Sequence, residues 1–220
     1  MTKHNIYAIF GASGYGREVM PLARAQLLKE KIDTKNLYFI DDNGLSETLA
    51  GHQILSFDNF LKLEANERFV CIAIANSKIR EKIVARCEEH GVKAWTVTAD
   101  NVCVLDNVEL GEGAILNPFV TLTSDIKIGK QFHANIYSYV AHDCIIGDYV
   151  TFAPSVKCNG NIVIEDHAYV GTGAVLKQGT PEKPLVIGRG AIIGMGAVVT
   201  KNVEAGTVVI GNPAKPLVKS

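Results

Sequence analysis

Net charge, paired thiols and long apolar runs are what this chain has least of, and each shortage excludes something. Lysine and arginine number 22 against 23 aspartates and glutamates, a formal charge of −1. So balanced a chain lacks the basic footprint on which DNA or RNA binding depends, although a local basic site for a small phosphorylated ligand stays open. The five cysteines (Cys71, Cys87, Cys103, Cys144, Cys158) are odd in number and never spaced CxxC. Most stand among aliphatic residues, the pattern of buried reduced thiols in a cytosolic protein rather than of a disulfide framework. The first apolar segment, in MTKHNIYAIFGASGYG, meets glycine too soon for a signal-peptide core or a membrane span. The expectation is a cytoplasmic protein without membrane insertion or nucleic-acid partners. Hydrophobic content of 47% and charged content of 20% describe a globular chain, and 220 residues suffice for one large or two small domains with a real core.

Two grammars divide the sequence. Residues 1–94 alternate strand-like and helix-like signals. IYAIF (6–10) is a short apolar run ended by GASGYG. REVMPLARAQLLKE (17–30) carries Val19, Leu22, Leu27 and Leu28 at helical spacing, with Pro21 expected in or near the first turn. LYFI (37–40) ends at Asp41 and Asp42, and RFVCIAIA (68–75) precedes SKIREKIVARCEEH, where Ser77 offers a cap. Strand, helix, strand, helix implies βαβ units and a parallel sheet.

Over residues 95–220 the period becomes six: NVELGE, GAILNP, FVTLTS, DIKIGK, QFHANI, YSYVAH, DCIIGD, YVTFAP, SVKCNG, NIVIED, HAYVGT, GAVLKQ. The fourth place is mostly large and aliphatic (Leu110, Leu116, Leu122, Ile128, Val140, Ile146, Ile164, Val170, Leu176). The second is mostly small or β-branched (Val108, Ala114, Val120, Ile126, Val150, Val156, Ile162, Ala168). GTPEK (179–183) breaks the frame, which resumes as PLVIGR, GAIIGM, GAVVTK. A sustained six-residue period marks a parallel β-helix, in which each hexad is a short strand plus a corner and burial comes from stacked coils. The interruption reads as a loop leaving the coil.

Two features exceed what the repeat needs. In YSYVAHDCIIGD (137–148), Tyr137, Val140, Ile145 and Ile146 read as framework, while His142 and Asp143 stand together at the junction of two hexads. A histidine with an adjacent carboxylate suits a general base and its orienting partner, and equally a solvated corner. Neighbours along a strand point to opposite faces, so a shared direction requires a bent corner. The second feature is Gly11, Gly14 and Gly16, between the first strand and first helix. Backbone amides at a helix N-terminus cradle phosphate, but GxxGxG departs from the dinucleotide spacing GxGxxG, and Asp41 and Asp42 lie farther along than its usual acidic partner. This weakens a nicotinamide-dinucleotide reading.

The combination of FGASGYGREV, IDD, AIANSKIREKI, the hexads and GNPAKPL resembles the hexapeptide-repeat nucleotide-amino-sugar acetyltransferases over essentially the whole chain. Among these are the bacillosamine-pathway N-acetyltransferases and the perosamine and sialic acid acetyltransferases. The resemblance implies an α/β Rossmann-like βαβ domain at 1–94, then a left-handed parallel β-helix at 95–220, three hexads per coil. It implies acetyl transfer from acetyl-CoA to the 4-amino group of a UDP-linked 4-amino-4,6-dideoxy-N-acetylhexosamine for glycan or protein glycosylation, without a metal. GDP-perosamine or sialic acid, by N- or O-acetylation, is the alternative substrate. Imidazole titrates near pH 6.5, so His142 would take the proton from the sugar ammonium as general base, worth about 10²- to 10⁴-fold, with Asp143 orienting the ring.

The same resemblance assigns Gly11, Ser13, Gly14, Tyr15, Asp41, Asp42 and Ala75 to the sugar nucleotide. It assigns Asn135, Thr151, Gly160, Thr172, Gly194, Met195 and Gly196 to acetyl-CoA, lying between neighbouring solenoids of a homotrimer. Tyr15 replaces a histidine common in relatives, Ala75 a glycine, and Thr151 a second histidine. Lys201, Lys215 and Lys219 are candidates for the coenzyme phosphates. Rival readings are a non-catalytic sugar-nucleotide scaffold and a metal hydratase on the same solenoid. The latter would need His133, His142 and His167 to converge, and the sequence lacks the close H-x4-H pairing of such sites.

Overall fold

The computed structural model describes residues 4–43 and 47–217, and it divides into two compact units between Asp100 and Asn101. Residues 95–100, expected with the solenoid, cluster with the first unit, although the strand Val97–Thr98 within them ends the strand order of one solenoid face. Trp95 packs on Tyr7 with ring centroids 5.0 Å apart, and the Gln26 side chain bonds the backbone of both Thr96 and Thr98.

In the first unit the strands β1 (Ile6–Phe10), β2 (Leu37–Ile40), β3 (Thr48–Leu49), β4 (His52–Leu55), β5 (Arg68–Ile72) and β6 (Lys93–Ala94) form one sheet in the order β3-β4-β2-β1-β5-β6. All neighbours are parallel except β3 with β4. β1 is buried at every position, as expected of a strand covered on both faces. Helix α1 spans Gly14–Lys29, so Pro21 is its eighth residue and lies beyond the first turn. The buried stripe of α1 is Gly16, Val19, Met20, Ala23 and Leu27, whereas Leu28 is exposed. A short helix α2 (Phe57–Lys62) follows β4, and α3 (Ser77–Glu89) follows β5. Asn76, not Ser77, caps α3, its side chain accepting from the Lys78 and Ile79 amides. Because β2 and β5 flank β1, the order reverses at β1. Ligands of such sheets bind beyond the strands' carboxyl ends at this reversal.

The second unit is a triangular parallel β-helix. Its strands stack into three faces, with partners eighteen residues apart, as in Ile115↔His133 and Thr121↔Tyr139. All the second- and fourth-place residues named above are buried except Val108 and Leu110 in the first coil, which are half-buried. Where Phe132 fills a second place, its fourth-place companion shrinks to Ala134, and Phe132 meets Phe152 edge-on at 5.2 Å. The inward Ser138 hydroxyl donates to Ala153 O and accepts from Val156 N, so its burial leaves no polar atom stranded. Tyr137 and Ile145, read as framework, are exposed; Val140 and Ile146 are interior. Residues 179–183 leave the coil as a turn closed by reciprocal Thr180 and Lys183 backbone bonds, and Ile162 then pairs with Leu185 across the insertion.

The corners have one backbone rule. From Asn107 to Gly173 the first place of every hexad has φ between +56° and +71°. Non-glycine residues there adopt a left-handed conformation that costs of order 1 kcal/mol and suits Asn and Asp best. One corner column accordingly reads Asn107, Asp125, Asp143, Asn161.

Candidate active site

The bend at Asp143 (φ +57°) brings its side chain beside that of His142 despite their adjacency in sequence. Asp143 Oδ2 lies 2.7 Å from His142 Nδ1, with the side chains 50% and 55% exposed. A carboxylate only accepts, so Nδ1 carries the shared proton and Nε2 of the neutral ring keeps its lone pair. Next along the same edge, eighteen residues on, lies Gly160, buried beneath the imidazole. Tyr139 on the adjoining face donates to Asn159 Oδ1 (2.8 Å), and Asn159 Nδ2 donates to Leu176 O (2.6 Å). Burial raises the Tyr139 pKa, keeping the phenol protonated. This pair was missed in the sequence, where Asn159 reads as an ordinary corner residue. Cys144 points into the solenoid with its thiol on Asn159 O (3.2 Å) and is 1% exposed, so it is not presented as an acyl-accepting nucleophile. Of the other thiols only Cys103 is exposed.

The candidate coenzyme residues do not all share that edge. Asn135, Thr172, Gly194, Met195 and Gly196 line a different corner, where Met195 is 81% exposed and Phe119 stacks on Tyr137 at 4.9 Å. Asn135 also holds Phe152 O through Nδ2. Thr151 is buried on the face between the other two corners and lies on neither edge. Lys201 and Lys215 are exposed, and Lys219 lies outside the described residues. His133 and His167 are buried in places separate from exposed His142. Among the described residues no group of three or more His, Cys, Asp or Glu could hold a metal ion, and no helix is long and apolar enough to cross a membrane.

In the first unit, the predicted nucleotide residues meet at the carboxyl edge of β1, β2 and β5. Ser13, Gly14, Asp42 and Ala75 are exposed, Tyr15 and Asp41 half-buried. Ser13 makes no side-chain cap bond to α1. Gly11 (φ +110°) passes so close to Ala73 and Ile74 that a Cβ would stand 2.9 Å from Ile74 Cδ1, and a Cβ on Gly16 would stand 1.8 Å from Gly11 O. These two glycines serve chain crossing, whereas Gly14 has open space around it. Asp41 accepts from the Ala12 and Asn43 amides and so braces the loop. Asp42 accepts from Phe57 N and pairs with Arg86, which also reaches Asp58 and lies over the Phe57 ring. Burial pushes the Asp42 carboxyl up, but the Phe57 amide and Arg86 outweigh it and hold the pKa below its ordinary value. Asp42 thus has a structural task besides any ligand. Arg80, wholly buried, donates to Ile74 O and Ala75 O and fixes the loop after β5. In SKIREKI it reads as one more solvated cation.

A hexapeptide solenoid that follows a Rossmann-like unit along the chain is an architecture shared with known acyltransferases. The family model for the PglD N-terminal domain matches residues 7–87. GDP-perosamine N-acetyltransferase of Escherichia coli O157:H7 is 52% identical over 216 residues, 98% of each chain. WeeI from Acinetobacter baumannii AYE superposes with a TM-score of 0.94 at 60% identity, covering 97% of this chain and 100% of that one. The acetyltransferase domain of PglB from Neisseria gonorrhoeae FA1090, solved in complex with acetyl coenzyme A, gives 0.85 at 25% identity, covering 98% and 100%. The chain belongs to the sugar N-acetyltransferase family, and its solenoid is the left-handed β-helix of that family.

Proposed function

We propose that the protein transfers acetyl from acetyl-CoA to the amine of a nucleotide-linked 4-amino-4,6-dideoxyhexose. The observation that carries the mechanism is the 2.7 Å contact between His142 Nδ1 and Asp143 at an exposed corner. It leaves Nε2 to accept the ammonium proton, freeing the amine to attack the thioester carbonyl. The tetrahedral adduct collapses with cleavage of the carbon–sulfur bond, and the leaving sulfur takes the surplus proton of the attacking nitrogen, so that CoA departs as thiol. The imidazolium, stabilised by Asp143, returns its proton to solvent. No acyl-enzyme is needed, because the thioester is already activated. The relative at 52% identity supports GDP-perosamine as substrate ahead of the UDP-linked sugar that the family resemblance implies. Nucleotide recognition falls to Ser13, Gly14, Tyr15, Asp41, Asp42 and Ala75 in the first unit. The coenzyme falls to Asn135, Thr172, Gly194, Met195 and Gly196. Since these five lie on a different edge from His142 within one chain, we read the assembly as a homotrimer in which a neighbour supplies that edge.

A thiol-release assay with acetyl-CoA against GDP-perosamine, a UDP-linked 4-amino sugar and free sialic acid tests this reading. Turnover is expected with GDP-perosamine first. Activity with sialic acid alone would overturn the substrate, and none with any would leave a sugar-nucleotide scaffold.

A further inference from the structure

Gly160 lacks the usual reason for being glycine. Its φ lies outside the left-handed region in which nine other glycines among the described residues sit, so an L-residue fits its backbone. What excludes a side chain is the imidazole. A Cβ built on Gly160 would stand 2.5 Å from His142 Cε1, 2.6 Å from Nε2 and 3.0 Å from Nδ1. All three nearest atoms belong to that ring, so the ring lies across the Cα position of the next coil. The backbone there cannot give way easily, because Asn161 N donates to His142 O and Gly179 N to Gly160 O within the stacked ladder. The equivalent places in the neighbouring coils are Asp106, Ser124 and Gln178. The coil facing the histidine is the one of these without a side chain.

We propose that Gly160 is a positioning residue for acetyl transfer: it provides the floor on which the His142 ring rests, so that Nδ1 stays on Asp143 and Nε2 stays aimed outward. This rests on His142 being the base. It differs from a role in the coenzyme groove, because it acts through the imidazole. A methyl at position 160 would leave the ladder intact and push the ring off Asp143, since a side-chain end moves more readily than stacked backbone.

The test is Gly160→Ala alone and combined with His142→Ala, with kcat and the KM for acetyl-CoA measured separately and the His142 ring followed by NMR. Misplacing a catalytic group by about 1 Å costs up to about 10²-fold. The expected result is a fall in kcat of about 10- to 100-fold, an unchanged KM for acetyl-CoA and displaced His142 ring resonances. No further fall should follow when the substitution is added to His142→Ala. The proposal is overturned by unmoved ring resonances, by a raised KM with kcat intact, or by a penalty that persists without the imidazole. If the wild-type chain acetylates none of the sugars, the proposed function fails, while the ring resonances still report whether the floor exists.

Discussion

Replacing Asp143 by asparagine separates orientation of the base from the base itself. Asparagine keeps the backbone, for Asn107 and Asn161 hold the same corner place at φ +56° and +57°. The substitution therefore removes charge without removing shape. Two unit charges about 4 Å apart interact by about 1 kcal/mol in water and about 4 kcal/mol near a protein surface. With both side chains about half exposed, the low end applies, about 1–2 kcal/mol. As about 1.4 kcal/mol in a barrier is tenfold in rate, Asp143→Asn should lower kcat about 5- to 30-fold. His142→Ala should cost about 10²- to 10⁴-fold. Because Asp143 acts only through the ring, the double variant should be no slower than His142→Ala, measured by thiol release at saturating substrates. Additive losses would mean that Asp143 works on the substrate directly, and wild-type turnover in Asp143→Asn would reduce the pair to a surface contact.

Two further outcomes concern the first unit. Gly16→Ala should destabilise by at least about 2 kcal/mol in urea unfolding, because its methyl meets the Gly11 carbonyl and Gly11 N is held on Ile40 O. Gly14→Ala, with open space around it, should leave stability unchanged or higher, and equal midpoints for the two variants would refute the close approach. Asp42, with its lowered pKa, contributes stability that is complete above the unfolded value near pH 3.9 and is lost as pH falls through the lower folded value. The stability difference between wild type and Asp42→Asn should hence shrink on acidification below about pH 4; a difference independent of pH would contradict it.

Periodicity carried the solenoid because the rule is strict: second and fourth places point inward, and a polar residue there needs a partner such as Ser138 finds. Corner membership was also available in principle. With eighteen residues per coil, positions 142 and 160 share an edge that 135 and 172 do not, and 194–196 fall with the latter pair once the five inserted residues are allowed for. The first unit was less legible. Pro21 sits well inside α1, and short α2 and β4 leave little pattern in SFDNFLK and HQIL. Arg80 shows why: its burial follows from two carbonyl oxygens six and five residues before it, which no periodicity of apolar residues signals. The Asp42 and Arg86 pair joins residues 44 apart in sequence, and only the fold reveals that the carboxylate is engaged.

The positive φ at Asp143 would, taken alone, suggest backbone strain stored at a functional site. Its recurrence at every sixth place, in Phe119, Asp125, Gln131, Tyr137, Tyr149 and Ser155 among others, points elsewhere. The corner conformation belongs to the solenoid, and its cost is met by stacking at every coil. Function therefore required no special backbone. It required an imidazole at the last place of one hexad, a carboxylate at the first place of the next, and no side chain one coil away. If strain at Asp143 were instead part of the mechanism, Asp143→Asn and Asp143→Gly would differ sharply in kcat, since glycine relieves that strain. A mechanism resting on charge and orientation makes the two alike in kind, both limited by the loss of the carboxylate.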